Sequence, residues 1–324
     1  MKRRLFIHLG PSKTGSSAIQ GFFRDIGSKS ILYPETGRWP DGSHHKLVFA
    51  HQGKHKHGLI DIPLWQDLSA QLDKEISLST QDILISSELA TLDFVKTIKN
   101  LLDKYQLEIS LILIARNPLE RAASAYNQHV KDEVIGLSEN PDEFLHRNIA
   151  SFSFESLFKK WQSLKLPIIA MPYKAELPLI TRFCKAIDVN VNTFYNEKFP
   201  NKSMGGVALI VILIANKLLN SEAQRRDFFT QLRQDESFKI WRGSSFPFSK
   251  SASNQFYKAV KSDIDWIFNK FDFAEDSLNT TTLSAFSLSE TDIKDIYRLL
   301  DNANITKGNS KLISKTIETF IQNS

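Results

Sequence analysis

The sequence predicts an α/β protein: a P-loop-like central parallel sheet flanked by helices, with a helical C-terminal extension. Three observations lead there. Short apolar runs alternate with stretches of helical periodicity through the first half of the chain, the order of βα units joined by right-handed crossovers. The run ISLILIA, Ile109 to Ala115, is nearly all apolar, as a central parallel strand covered on both faces must be. Two strands end in polar turns, at Gly10 and at Arg116, and so reach the carboxyl edge where such sheets bind ligands.

Taken in order, Leu5 to Leu9 is a short buried strand broken by Gly10 and Pro11. Ala18, Ile19, Phe22 and Phe23 then recur at helical spacing. Ile31 to Pro34 reads as a second strand. Glu35 to Gly58 is rich in Gly, His and Lys and has little periodicity, so it is expected to be irregular and functional. Leu64, Leu68, Leu72 and Ile76 mark a helix, and Asp82 to Glu88 a strand with a polar end. A helix carrying Phe94, Ile98, Leu101 and Leu102 precedes the central strand. Pro118 suits a first helical position, and Leu119, Ala122, Ala123, Tyr126 and Val130 give that helix one apolar face. A helix over Ser153 to Leu164 leads to a strand over Leu166 to Met171.

From about Ser203 the texture changes. Val207 to Leu219 is apolar almost all round and hence buried. Amphipathic helices follow near Ala252 to Phe271, Glu290 to Leu300 and Ser310 to Ile321. The expected division is a core over residues 1–203 and a helical extension over 204–324, packed on that core.

The 324 residues include 42% hydrophobic ones, enough for a sizeable core. Lys and Arg total 41 against 36 Asp and Glu, a net charge of +5. That mild excess suits an anionic substrate, and no basic stripe of a nucleic-acid binder is present. The one cysteine, Cys184, lies in an apolar helical pattern and reads as a structural thiol. The apolar run behind the basic N-terminus is too short for a secretory leader, and Val207 to Ala215 is about half a membrane span. A soluble cytoplasmic protein is expected.

The chemistry starts at LFIHLGPSKTGSSAIQ, Leu5 to Gln20. A strand, a glycine-bearing loop and a helix start form an anion site, because first-turn N–H groups lack intrahelical partners and the helix dipole favours negative charge there. Ser12, Lys13, Thr14, Gly15, Ser16 and Ser17 supply a lysine and hydroxyls. The order is not that of a Walker loop, since Lys13 precedes Gly15. A second anion site is suggested by RNPLERAASAY. Arg116 leaves the central strand, with Ser124 eight residues on and Tyr126 two beyond that.

These two motifs, in this order, resemble those of sulfotransferases that use 3′-phosphoadenosine-5′-phosphosulfate (PAPS), over Leu5 to about Tyr173. The resemblance implies that Ser12 to Ser17 hold the 5′-phosphosulfate and that Arg116 and Ser124 hold the 3′-phosphate. Arg121 reads as a solvated helix charge. Asn201 to Met204 weakly resembles an Asn-x-Ser turn of bacterial carbohydrate sulfotransferases, and Trp241 to Phe246 is a candidate adenine loop. The implied reaction is in-line sulfuryl transfer to a hydroxyl or amine, with 3′,5′-ADP as the other product. Lys13 would neutralise the leaving phosphate, and no metal would be needed.

A base must take the acceptor proton. Residues 44–57 hold five of the eight histidines. His45 or His44 is the first choice, Glu88 the rival and Glu35 the third, because the family uses His in some branches and Glu in others. The histidine spacings match no zinc motif. A saccharide acceptor suits the polar loop, and no nucleic-acid partner is expected. Two other readings stay open: a P-loop small-molecule kinase or NTPase, and a non-catalytic nucleotide-binding protein.

Overall fold

The computed structural model describes residues 2–25, 30–190, 206–235, 247–271, 273, 278, 288–303 and 305–321. In chain order its elements are β1 (Arg4–His8), α1 (Ser16–Asp25), β2 (Ile31–Leu32), α2 (His45–His51), β3 (Lys56–His57), β4 (Ile60–Asp61), α3 (Trp65–Ser77), β5 (Asp82–Ser86), α4 (Leu92–Leu102), β6 (Glu108–Ala115), α5 (Pro118–Lys131), α6 (Pro141–Arg147), α7 (Phe154–Gln162), β7 (Ile168–Pro172), α8 (Leu179–Ala186), α9 (Gly206–Leu218), α10 (Glu222–Gln234), α11 (Lys250–Phe271), α12 (Glu290–Asn302) and α13 (Ser310–Ile321).

The chain forms two compact units. The first comprises Met1–Arg116, Phe154–Pro200 and Asp265–Leu278, and the second Asn117–Ser153, Asn201–Ile264 and Asn279–Ser324. Residues 117–153 thus group with the C-terminal helices rather than with the sheet, and 265–278 group with the sheet, so the partition is not a single break at 203.

The first unit is built on a five-stranded parallel sheet in the order β2-β5-β1-β6-β7. β1 is central: Ile7 pairs with Ile85 on one side and Leu111 on the other. Side chains alternate between the faces of a strand. Phe6, Leu84, Ile112 and Ile114 therefore share one face, where they pack with Phe22 and Phe23 of α1 and Phe183 and Cys184 of α8. Cys184 is buried, and burial pushes its thiol up to about 12, consistent with a structural role. On the other face, Leu5, Ile7, Ile83 and Ile85 are fully covered. Because all the strands are parallel, the ends of β1, β5, β6 and β7 open on one edge.

The segment expected to be irregular is partly ordered. Residues 45–51 form α2, and 56–61 hold the short antiparallel hairpin β3–β4. The helix is only seven residues long and is interrupted by no clear heptad, so its period does not stand out in the sequence.

The second unit is organised around α9, whose residues Gly206 to Asn216 are all buried, as the all-round apolar sequence requires. Helices α5, α10, α12 and α13 pack against it. Asn216, the polar residue near its end, donates to the carbonyls of Val130 and Leu137, both at 2.9 Å. Helix α5 starts as its sequence predicts: Pro118 takes the first turn and the Asn117 side chain accepts from the N–H groups of Leu119 and Glu120. Among the described residues no helix is long and apolar enough to cross a membrane.

Candidate functional site

In the first unit, the loop after β1 is shaped by its backbone. Gly10 has φ of 78°, and its carbonyl accepts from Ile114 N–H at 2.9 Å, tying the loop to β6. A Cβ at this position would stand 2.8 Å from Glu88 Cβ, so only glycine lets the loop pass the end of β5. Lys13 has φ of 69°, a conformation that lysine rarely adopts and that clusters at functional sites. Its carbonyl accepts from the Arg116 guanidinium at 2.8 Å. Gly15, at φ of 86°, receives the first helical bonds of α1 from Ala18 and Ile19. The N–H groups before Ala18 therefore face the loop without helical partners.

Arg116 leaves β6, and its guanidinium lies 4.7 Å from the centroid of the Tyr173 ring. Tyr173 follows β7 and is held by its N–H to Ala115 O at 2.6 Å. A Cβ on Gly15 would meet Tyr173 Cε2 at 3.1 Å and collide with Leu179 Cδ2. Arg116, Tyr173 and the lysine-bearing loop are thus one assembly. Tyr173 carried no motif of its own; its position at the exit of the strand beside β6 was the one available clue.

The loop hydroxyls differ in what they can offer. Ser12 is exposed. Thr14 is fully buried and donates to the Pro11 carbonyl at 2.6 Å, which closes the loop on itself. Ser16 is buried, and its hydroxyl has no protein partner among the described residues. Such a group in a well-packed protein calls for a ligand or a water. Ser17 is half-buried beside it.

The exit of β5 is shaped by side chains instead. Ser86 and Ser87 are buried, and Glu88 is half-buried. The Ser86 hydroxyl lies 2.8 Å from His8 Nδ1 and accepts from Gln20 Nε2 at 3.1 Å. Gln20 also donates to Glu88 Oε2 at 2.8 Å. His45 Nδ1 is 2.8 Å from the Ser87 hydroxyl, and its Nε2 is 3.8 Å from Glu88 Oε1.

The two adjacent histidines have opposite situations. Ser86 N–H donates to His44 Nδ1 at 3.1 Å, so the ring proton is on Nε2, which points at Pro34 O at 2.9 Å. His44 is fully buried with both nitrogens engaged, and burial pulls it down to about 4. His45 is half-buried, at 12% side-chain exposure, and keeps Nε2 toward Glu88. Burial lowers its pKa, and the Glu88 carboxylate opposes that shift. His8, fully buried behind them, is pulled down to about 3 by burial.

The other candidates stand apart. Glu35 is exposed, and its N–H is taken by Glu75 Oε1 at 2.7 Å. His51 bonds Thr97 at 3.0 Å. Ser124 is half-buried on α5 in the second unit. Arg121 is not the solvated charge expected from the sequence: it is 4% exposed, donates to Ser151 O and lies over the Phe152 ring. Its neighbours on α5 gave no warning, because the partner segment is thirty residues away in sequence. Asn201 to Met204 and Trp241 to Phe246 fall outside the described residues. Among those residues no group of three or more His, Cys, Asp or Glu is arranged to hold a metal ion.

No family model matches the chain, and no curated protein matches it. Among solved structures it is similar to one from a molecular and structural characterization of the PezAT chromosomal toxin–antitoxin system of Streptococcus pneumoniae, at 11% identity over 82% of this chain and 87% of that one. The TM-score of that match is 0.26, and it carries no argument about fold or function.

Proposed function

We propose that this protein is a PAPS-dependent sulfotransferase that moves a sulfuryl group to a hydroxyl or amine of an acceptor. The observation that carries the reading is the joining of Lys13, Arg116 and Tyr173 around a loop whose buried Ser16 hydroxyl has no protein partner among the described residues. Such a loop, at a strand end and a helix start, suits the phosphosulfate. Ser16 and the first-turn N–H groups of α1 donate to its oxygens. Arg116 supplies a guanidinium at the exit of the neighbouring strand. The part of Ser124 rests on its sequence spacing alone.

The acceptor oxygen attacks sulfur, a new S–O bond forms, and the bond from sulfur to the phosphate oxygen breaks with its electron pair going to phosphate. Catalysis is then positioning plus neutralisation of the charge that grows on that oxygen. Lys13 fills the second role. The acceptor proton goes to His45, or to Glu88 beside it. The 3.8 Å between His45 Nε2 and Glu88 Oε1 is too long for a hydrogen bond. An acceptor hydroxyl can stand within about 2.8 Å of both atoms and donate to either one; where Nε2 carries the ring proton, the hydroxyl accepts from Nε2 and donates to the Glu88 carboxylate. His44 holds the end of β5 and is a positioning residue.

Nucleotide-dependent thermal stability tests the reading against its rivals. Stabilisation by 3′,5′-ADP without Mg²⁺ is expected. Stabilisation by Mg-ATP alone would point to a kinase or NTPase. A nucleotide-binding protein without catalysis would bind 3′,5′-ADP yet transfer no sulfuryl group.

A further inference from the structure

Resting on the sulfotransferase reading, we propose that the acceptor is a saccharide whose ring lies against Trp39, with Asp41 and His57 at its edge. Trp39 and Asp41 belong to a tight turn that ends at the histidine pair. Trp39 N–H donates to Ser43 O at 2.6 Å, Gly42 N–H to Trp39 O at 2.9 Å, and Ser43 N–H to Asp41 Oδ1 at 2.9 Å. Gly42, at φ of 96°, fixes the turn against α1, because a Cβ there would meet Gln20 O at 2.6 Å. The indole is thereby held on the same short segment as the base.

The hairpin β3–β4 brings His57 to the same place. His57 stacks on Phe49, with centroids 4.7 Å apart and planes at 18°. Trp39 lies 5.7 Å from Phe49 and 5.8 Å from His57, both edge to face, and Phe49 is 6.2 Å from His45. Asp41 and His57 are also near enough for their charges to act on His45. The cluster therefore borders the base.

Within it, Phe49 is buried and already in use: His57 stacks on it and the Lys54 ammonium lies 4.8 Å from its centroid. Trp39 is only half-buried, while Asp41 and His57 are exposed. A flat phenolic acceptor would need an apolar slot closing on both of its faces. What stands here is a half-buried indole beside an exposed imidazole, with an exposed carboxylate two residues along the same turn. A sugar ring fits that pattern, because its C–H face can meet the electron-rich indole face while its hydroxyls reach Asp41 and His57.

The test is ligand-observed saturation-transfer NMR on the full chain with 3′,5′-ADP present, using the methyl β-glycosides of glucose, galactose and N-acetylglucosamine as probes. Saturation of the ring protons of at least one glycoside is expected. Trp39→Ala should cut it at least about tenfold, Trp39→Phe should keep part of it, and His57→Ala should weaken it a few-fold. All three variants should bind 3′,5′-ADP as the parent does, which also reports that they are folded. No transfer to any glycoside while 3′,5′-ADP binds normally would overturn the saccharide site and leave the sulfotransferase reading standing. So would transfer unchanged in both Trp39→Ala and His57→Ala. Transfer that depends on Trp39 in a chain that does not bind 3′,5′-ADP would support the sugar site and remove the nucleotide reading.

Discussion

The loop after β1 and the exit of β5 are neighbours, close enough that a Cβ on Gly10 would collide with Glu88, yet they are built by opposite means. The loop is a backbone device. Positive φ at Gly10, Lys13 and Gly15 sets its path, and the helix start supplies its donors. The β5 exit is a side-chain device, in which His8, Gln20, His44 and His45 from three other segments converge on Ser86, Ser87 and Glu88. A backbone-built cradle can bind any anion of the right size. A side-chain-built cluster can move a proton. The difference teaches how the work would divide on the proposed reading: the loop would hold the donor substrate, and the β5 exit would handle the acceptor proton.

Breaking the side-chain device should have the largest kinetic effect. His45→Ala is expected to lower turnover by about 10²–10⁴ while leaving 3′,5′-ADP affinity near normal. Steady-state kinetics beside calorimetry checks this; a loss of nucleotide affinity equal to the loss of rate would mean that His45 belongs to the cradle. Breaking the loop's charge comes next. Lys13→Ala should reduce turnover by about 10²–10³ and weaken 3′,5′-ADP by much less, because it acts on charge that grows in the transition state.

The comparison sharpens at Gly15 and His44. Gly15→Ala forces a Cβ into the left-handed region and against Tyr173 and Leu179, so a loss of about 1–3 kcal/mol in stability, with weaker nucleotide binding, is expected from denaturant titration. His44→Phe orphans the buried Ser86 N–H, at about 1–3 kcal/mol, while the Pro34 carbonyl keeps its bond from Arg38 Nε at 2.6 Å. Its readout is stability first and rate second, the reverse of His45→Ala. Equal kinetic defects in the two would merge roles that the hydrogen bonds keep separate.

The smallest effect is on pH. His8 and His44 are held neutral in the fold at about 3 and about 4, against an ordinary 6.5. Below 6.5 the unfolded chain binds these protons and the folded chain does not, so stability rises with pH across that interval and falls on acidification from 6.5 toward 4. The melting temperature should drop over that range, and His44→Phe should flatten part of the slope. A melting temperature that is level or higher at pH 5 would contradict the buried, neutral assignment. For activity, the acid limb of the rate profile should fall below 6.5, since burial lowers His45, and Glu88→Gln should move it lower by removing the carboxylate that opposes the shift.

The same division explains what could be read from residues alone. Gly10, Lys13, Gly15 and Ser16 fall in one short stretch, and the turn chemistry that shapes them is local, so the loop and its strand and helix were visible before any fold was known. The apolar strand before Arg116 was equally plain. The β5 cluster was not, because it depends on which segments the strand order brings together. Nothing in His44-His45 says that the first ring is walled in by Ser86 and Pro34 while the second faces Glu88. Tyr173 and the buried state of Arg121 were hidden for the same reason: their partners are distant in sequence. Helix α2 was missed because its seven residues carry too few turns for a period to show.

The most direct measurement is transfer of ³⁵S from labelled PAPS into acid-stable product, using the purified chain and an extract of the source cells. Label is expected in a product with the parent protein, with a fall of at least about a hundredfold in the Lys13→Ala and His45→Ala variants. No labelled product from a folded chain that binds 3′,5′-ADP, or labelling unchanged in both variants, would contradict the sulfotransferase reading.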